Sequence, residues 1–426
     1  MPPVRIDFDA RRPWREVRLP GSKSIAARAL VCRYVQDAGT RLENLPDCDD
    51  TRELREALRV LDEAAPHAVR LVKEDVEIPP TRIAVNLGNG GTTLRFFLAL
   101  AASIPGLTAE ICCGEGLGRR PLAPLVDELR RHGASIDYLL RDGYPPLLVR
   151  GRRLTGGPIL VPRSLSSQFV SALLLASPLW KGEVRLENPP EVSAPYVDMT
   201  RRVMEQFAAR PERYKIEADW SAASYFYEVA LALPGRALRI ASLPLAKESL
   251  QGDALCHDFF GWLGVTTRRL DVYPQGAVEL MGEVRVIDEM KRIGVPVMFD
   301  LRHVPDLTPA LAVALCMARM PFRFDALPHL RVKECDRLAA LSVELSKAGY
   351  AVHDEGDSLR WDGRLYPVND DEALSAWDDH RMAMALAPLA IRKRWLAIEG
   401  ARVVTKSFPD FYRQLENVGF GVRLKG

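Results

Sequence analysis

The sequence predicts an α/β protein made of six copies of one αβ unit, divided into two lobes of three. Two observations carry this expectation. Six helices rich in small and apolar residues recur along the chain, each opened by a polar residue able to cap it. Between them lie six amphipathic, charged helices, four of which end at a glycine followed by a strand-like run.

The first set begins near Ser22, Asn89, Ser166, Asp219, Asp306 and Asp379, at intervals of about 50 to 90 residues. A helix apolar on nearly all sides is a buried one. A Ser, Asn or Asp at its head answers N–H groups that have no partner within the helix. The second set covers Asp49–Leu61, Pro121–His132, Pro195–Phe207, Gln251–Leu263, Asp336–Lys347 and Pro409–Val418. Leu122, Leu125, Val126 and Leu129 show the three- and four-residue spacing of one buried face. Gly133, Gly264, Gly349 and Gly419 are placed as left-handed C-caps, and runs such as Ala134–Leu140 resume as strands. A three-plus-three division puts the midpoint near 210–220, beside the loop-like segment Ala208–Arg213, with no low-complexity linker.

At 426 residues and 47% hydrophobic content the chain can bury large cores, and a net charge of +2 excludes a general nucleic-acid surface. Seven scattered cysteines without a C-x-x-C pair read as reduced thiols, not as a disulfide framework or zinc site. No H-E-x-x-H or His/Cys cluster calls for a metal. The N-terminus carries no apolar signal core, and the longest apolar runs fall short of the ~20 residues of a membrane span. A soluble cytoplasmic protein is expected.

The chemistry gathers at helix starts. Leu19-Pro20-Gly21-Ser22-Lys23-Ser24, with Arg28 one turn on, places an ammonium and hydroxyls beside free helix-start N–H groups. Such a turn suits a phosphate or carboxylate. Asn89-Gly90-Gly91-Thr92 with Arg95 is a glycine-rich turn whose backbone a ligand can approach closely. Ser166-Ser167-Gln168 puts three neutral hydrogen-bonding side chains at the head of a buried helix. Arg331-Val332-Lys333-Glu334-Cys335-Asp336-Arg337 and Asp378-Asp379-His380-Arg381 place cations at helix starts, where the dipole disfavours them and an anionic ligand would relieve the conflict. His380 reads as a packing or capping residue. Lys23, Arg28, Arg95, Arg120, Lys333, Arg337, Arg381 and Lys406 make eight cations on or beside such turns, enough for two phosphorylated carboxylic acids. Asp306 and Glu334 are carboxylates set among them, suited to moving protons.

With these residues in view, the chain resembles the 5-enolpyruvylshikimate-3-phosphate synthases of the enolpyruvyl transferase superfamily. The resemblance runs through LPGSKS, DCDDT, LGNGGTTLR, RRP, SLSSQF, PYVDM, SAASYF, VPDLT, LRVKECDRL, DDHRMAMA and TKSFPDF, in that order along nearly the whole chain. It implies a two-lobed inside-out αβ barrel of six βαβαββ units, three per lobe. Residues 1–20 with 218–426 would form the lobe holding both termini and 21–217 the inserted lobe, with the active site in the cleft between. It implies transfer of the carboxyvinyl group of phosphoenolpyruvate to the 5-hydroxyl of shikimate 3-phosphate, releasing phosphate, in the shikimate pathway of aromatic amino-acid biosynthesis. No metal or organic cofactor is implied, and the expected partners are these two small substrates, with no nucleic acid or membrane, acting on a monomer.

By matching motif positions, the resemblance assigns Lys23, Ser24, Arg28, Ser166, Ser167, Gln168, Ser193, Tyr196, Asp306 and Lys333 to shikimate 3-phosphate. It assigns Lys23, Asn89, Gly91, Arg120, Gln168, Arg337, Arg381 and Lys406 to phosphoenolpyruvate, with Asn89 shaping its turn. Asp306 would be the base for the 5-hydroxyl, Glu334 the acid for the methylene carbon, and Lys23 a bridge to both ligands. Gly91, lacking a β-carbon, would leave room for glyphosate, which competes with phosphoenolpyruvate in this family. The chain departs from the pattern at His329, where the family usually has asparagine. It departs also at Ala194, at Phe96 in place of a common proline, and in a short glycine-rich loop 114–121. That loop is similar to one in the sister family acting on UDP-N-acetylglucosamine. Another acceptor, or a non-catalytic homologue, is therefore the alternative expectation; the Lys23-Ser24 pair and the RVKECDR form favour the shikimate branch.

Overall fold

Strands that run parallel need a crossover, and the buried helices supply it. The computed structural model describes residues 2–36, 39–160, 162, 166–187, 191–270, 276–369 and 371–424; Ser164 and Leu165 of the SLSSQF motif lie outside them. The repeat is fullest in residues 81–150. Strand Thr81–Asn86 passes through helix Gly91–Ala102 to a parallel strand, Leu107–Cys112. Helix Ala123–Arg131 then leads to Ser135–Tyr138 and Leu147–Arg150, and the latter inserts antiparallel between its hairpin partner and Leu107–Cys112.

Three other sheets have the same order. One is built from Val297–Asp300, Phe322–Asp325, His353–Asp354 and Leu359–Trp361. A second uses Val17–Arg18, Leu238–Ala241, Val265–Leu270 and Ala277–Gly282. The third takes Leu374–Ser375, Leu396–Glu399 and Phe420–Leu424, with Val4–Phe8 from the other end of the chain inserted antiparallel between the last two. The two remaining units show one parallel pair each among the described residues, Thr155–Ile159 with Lys181–Leu186 and Arg213–Lys215 with Arg41–Glu43. Six units are therefore present, four of them with the complete βαβαββ strand set.

The apolar helices are Lys23–Val35, Gly91–Ala102, Ser167–Ala176, Trp220–Ala232, Thr308–Ala318 and His380–Leu386. Every residue of Thr308–Ala318 is buried, as its lack of a polar face requires. Gly133, Gly264, Gly349 and Gly419 all have φ near +100°, so the four expected C-caps are in place. Two expectations about length need correction. Gln251–Leu263 divides into a 3₁₀ turn, Gly252–Leu255, and a helix, Cys256–Trp262; Pro409–Val418 contracts to Phe411–Glu416. Helices Ala68–Lys73 and Val284–Ile293 were not anticipated. The second buries only Ile287, so it offers almost no apolar period to read.

The chain folds into two compact units, Met1–Pro20 with Glu217–Gly426, and Gly21–Ile216. Glu217 goes with the first, where its carboxylate accepts hydrogen bonds from Ser249 Oγ (2.6 Å) and Leu250 N (3.0 Å). The core of that unit includes Phe226, Val229, Leu311, Leu315, Met382 and Leu386 from its three apolar helices. In the second unit, Leu30, Val31, Phe97, Leu98, Leu173 and Leu174 are buried likewise. Among the described residues no helix is long and apolar enough to cross a membrane, and all seven cysteines are free.

Candidate functional site

Each unit gathers the chemistry-bearing residues at helix starts. In the Gly21–Ile216 unit, Lys23 opens helix Lys23–Val35 and its Nζ pairs with Asp50 Oδ2 at 2.8 Å. Arg28, one turn later, is 2% exposed. Its Nε donates to Thr200 Oγ1 (2.7 Å), its Nη1 to the Ser24 carbonyl (2.7 Å), and its Nη2 to Ser171 Oγ and the Tyr196 carbonyl (both 3.1 Å). Phe96 lies beneath the guanidinium, 5.4 Å from ring centroid to Cζ. That contact gives this departure from the family pattern a physical role, since an aromatic face attracts a cation.

Gly91 is the first residue of its helix and lies under two arginines. A β-carbon there would stand 2.6 Å from Arg95 Nη1 and 2.9 Å from Arg120 Nη1. Arg95 Nη1 also donates to the Gly91 carbonyl (2.7 Å) and to Gln168 Oε1 (2.9 Å), tying this turn to the head of helix Ser167–Ala176. Asn89 Oδ1 accepts from Leu117 N (3.2 Å), fixing the turn against the short loop that carries Arg120. Ser166 caps its helix by accepting from Gln168 N, Ser167 is buried, and Ser193 takes a left-handed conformation (φ 57°) ahead of helix Ala194–Ala208. A side chain at position 91 would have to push both guanidinium tips aside.

In the other unit the centre is Arg337, 1% exposed at the start of helix Arg337–Lys347. Its Nη1 meets Asp306 Oδ1 at 2.8 Å, its Nη2 meets Glu334 Oε2 at 2.9 Å, and its Nε meets Asp379 Oδ2 at 2.7 Å. Arg381 Nη2 donates to Asp306 Oδ2 (2.7 Å), Lys333 Nζ stands 3.5 Å from Asp306 Oδ1, and Lys406 Nζ reaches Glu334 Oε1 at 3.3 Å. Asp379 also caps its helix by accepting from Arg381 N (2.8 Å). Four cations and three carboxylates thus interlock. Burial alone would raise the Asp306 carboxyl, but Arg381, Lys333 and Arg337 outweigh it and hold the group well below its ordinary value. Nearby Asp253, fully buried, is pushed up to about 6, first by burial and then by the Asp306 charge.

His329 sits in the field of Lys333 and Asp306, and both its ring nitrogens are buried without a hydrogen-bond partner. Burial first, then Lys333, lowers it to about 4, so the imidazole is neutral at pH 7. His380 is buried within its helix. The structure gives acid partners to Lys23, Lys333, Arg337, Arg381 and Lys406. Charge at these helix starts is thus balanced in part by the protein, not left wholly to a ligand. Asp50, Ser171 and Thr200 were not singled out from sequence, and Asp379 was read only as the polar opening of its helix. The DCDDT and DDHR motifs contain the two acids, whereas nothing local marked the two hydroxyls.

Guanidinium and ammonium groups at successive helix starts, with carboxylates interleaved among them, define a protein that handles small polyanions and protons. The EPSP synthase (3-phosphoshikimate 1-carboxyvinyltransferase) family profile matches residues 14–415. A protein of that name from Bacteroides fragilis is 34% identical over 96% of this chain and 96% of its own. One from Vibrio cholerae is 31% identical over 93% and 95% respectively. The chain belongs to the EPSP synthase family. Its fold is similar to that of an EPSP synthase from Acinetobacter baumannii (TM-score 0.71, 17% identity, 99% of this chain and 100% of that one). It is also similar to the enolpyruvyl transferase NikO from Streptomyces tendae (TM-score 0.68, 18% identity, 99% and 98%).

Proposed function

We propose that the protein transfers the carboxyvinyl group of phosphoenolpyruvate to the 5-hydroxyl of shikimate 3-phosphate and releases phosphate. The observation that carries the residue roles is the sharing of Arg337 by Asp306 and Glu334 (2.8 and 2.9 Å), which holds an acid and a base beside one fixed cation. Family membership supports the choice of substrates.

In this reading Ser24, Arg28, Ser166, Ser167, Gln168, Ser193, Tyr196 and Lys333 hold shikimate 3-phosphate, with Asp306 at its 5-hydroxyl. Asn89, Gly91, Arg120, Gln168, Arg337, Arg381 and Lys406 hold phosphoenolpyruvate, and Lys23 serves both. Glu334 gives a proton to the methylene carbon, making the adjacent carbon electrophilic. The 5-hydroxyl oxygen adds there as Asp306 takes its proton, forming a tetrahedral ketal. Loss of phosphate from that carbon, with loss of a proton from the new methyl group, restores the double bond. Fixed cations stabilise the developing charge because they need no reorientation.

Anionic substrates also change the base. As their phosphate and carboxylate groups draw Arg381 and Lys333 away from Asp306, its basicity rises toward what proton abstraction needs. The protein is taken to work as a cytoplasmic monomer on these small molecules. Incubation with phosphoenolpyruvate and either shikimate 3-phosphate or UDP-N-acetylglucosamine, following phosphate release, tests the assignment. Turnover is expected with the first acceptor alone, and turnover only with the second would overturn it.

A further inference from the structure

Two guanidinium groups in this protein are almost equally buried, and they are treated in opposite ways. Arg337 is met by three carboxylates. Arg28 has four hydrogen bonds, all to neutral oxygens, and no carboxylate partner among the described residues. A buried cation without a counter-charge is costly, and hydroxyls and carbonyls lower that cost without cancelling the charge. What remains is a fixed positive centre whose field is free for an anion.

The neutral cage is specific in its parts. Thr200 comes from helix Ala194–Ala208 and Ser171 from helix Ser167–Ala176, while Arg28 belongs to Lys23–Val35. Both hydroxyl residues are fully buried. A guanidinium only donates, so each hydroxyl facing it must accept and send its own hydrogen elsewhere. Thr200 Oγ1 has two such outlets at 2.8 Å, the Tyr196 carbonyl and Ser171 Oγ. The hydrogen bond it accepts from Nε, with the three made by Nη1 and Nη2, restrains the plane of the guanidinium.

Resting on the role in holding shikimate 3-phosphate proposed for Arg28, we propose that Thr200, backed by Ser171, is a positioning residue that aims the uncompensated Arg28 charge at an anionic group of that substrate. Thr200→Val keeps the shape and removes the acceptor. The Michaelis constant for shikimate 3-phosphate should rise about tenfold, the size of a lost hydrogen bond to a charged group. The constant for phosphoenolpyruvate at saturating shikimate 3-phosphate should stay put, kcat should fall far less, and Thr200→Ser should restore binding. Shikimate 3-phosphate should raise the melting temperature of the unmodified protein and do so less for Thr200→Val.

Equal weakening of both substrates, no rescue by serine, or an unaltered constant for shikimate 3-phosphate overturns the proposal. If Thr200→Val fails to fold, Ser171→Ala removes one hydrogen bond from the same guanidinium and is read in the same way, with a smaller rise expected. If the unmodified enzyme releases no phosphate with shikimate 3-phosphate, the reaction assignment fails separately. The melting-temperature shift with shikimate 3-phosphate, which needs no turnover, then decides, and a shift that is absent, or identical in Thr200→Val, overturns the positioning role.

Discussion

Asp306→Asn is expected to cut kcat by roughly 10²–10⁴, the contribution of a positioned general base, while binding of shikimate 3-phosphate by calorimetry persists. The asparagine keeps an oxygen near Arg337 and Arg381 but cannot take a proton. Glu334→Gln should act comparably, by removing the proton source. The pH profile refines the expectation. Burial opposes ionisation of Asp306, but Arg381, Lys333 and Arg337 hold its carboxyl well below the ordinary value. In the free enzyme it is therefore ionised at every working pH, and its protonation should not set an acid limb of kcat/KM above pH 4. Once substrates compete for those cations the group becomes more basic, so any acid limb of kcat that depends on Asp306 should lie at higher pH than in kcat/KM. For stability the sign is that of a depressed carboxyl: its contribution is present above the unfolded value and lost as pH falls through the folded one, hence only in strong acid. Near-normal kcat in Asp306→Asn would remove it as the base.

The helical half of this fold was legible because burial leaves a composition. Thr308–Ala318 and Gly91–Ala102 could be found from runs of small and apolar residues, and the repeat followed from their recurrence. Strands were less visible. Val17–Arg18 and Leu374–Ser375 contribute two residues each to their sheets, too few to show an alternation. Val284–Ile293 was missed for the related reason that it rests on the core through Ile287 alone.

For the site, legibility followed the reach of each interaction. Cations at helix starts are local oddities, and the sequence displays them. Their partners are remote: Asp50 lies 27 residues from Lys23, Asp379 lies 42 from Arg337, and Thr200 lies 172 from Arg28. No spacing rule connects such positions, so the expectation of eight cations awaiting ligands overlooked how many carboxylates the fold would bring to them. The same blindness covered Phe96, whose role is set by an arginine 68 residues earlier in the chain.

Arg337→Leu should be the most destabilising substitution at this site. Removing the guanidinium takes one cation from Asp306, Glu334 and Asp379 together; Arg381, Lys333 and Lys406 remain beside the first two, so the loss falls hardest on fully buried Asp379. Breaking a buried ion pair from one side costs about 3–5 kcal/mol, and here three carboxylates lose the same partner. A fall in melting temperature of roughly 6–20 °C is expected from that range for a unit of this size, together with loss of activity. Arg337→Lys should fall between, because one ammonium cannot meet three carboxylates in the fork geometry of a guanidinium. The deficit should also depend on pH in a definite direction. Acid neutralises carboxylates that have lost a cation in the variant, while Asp306 of the unmodified protein, held well below its ordinary value, stays ionised, so the gap in unfolding midpoint should narrow from pH 7 to pH 4. A gap that is absent at pH 7, or that widens on acidification, would show that Arg337 is not the charge on which this cluster is built.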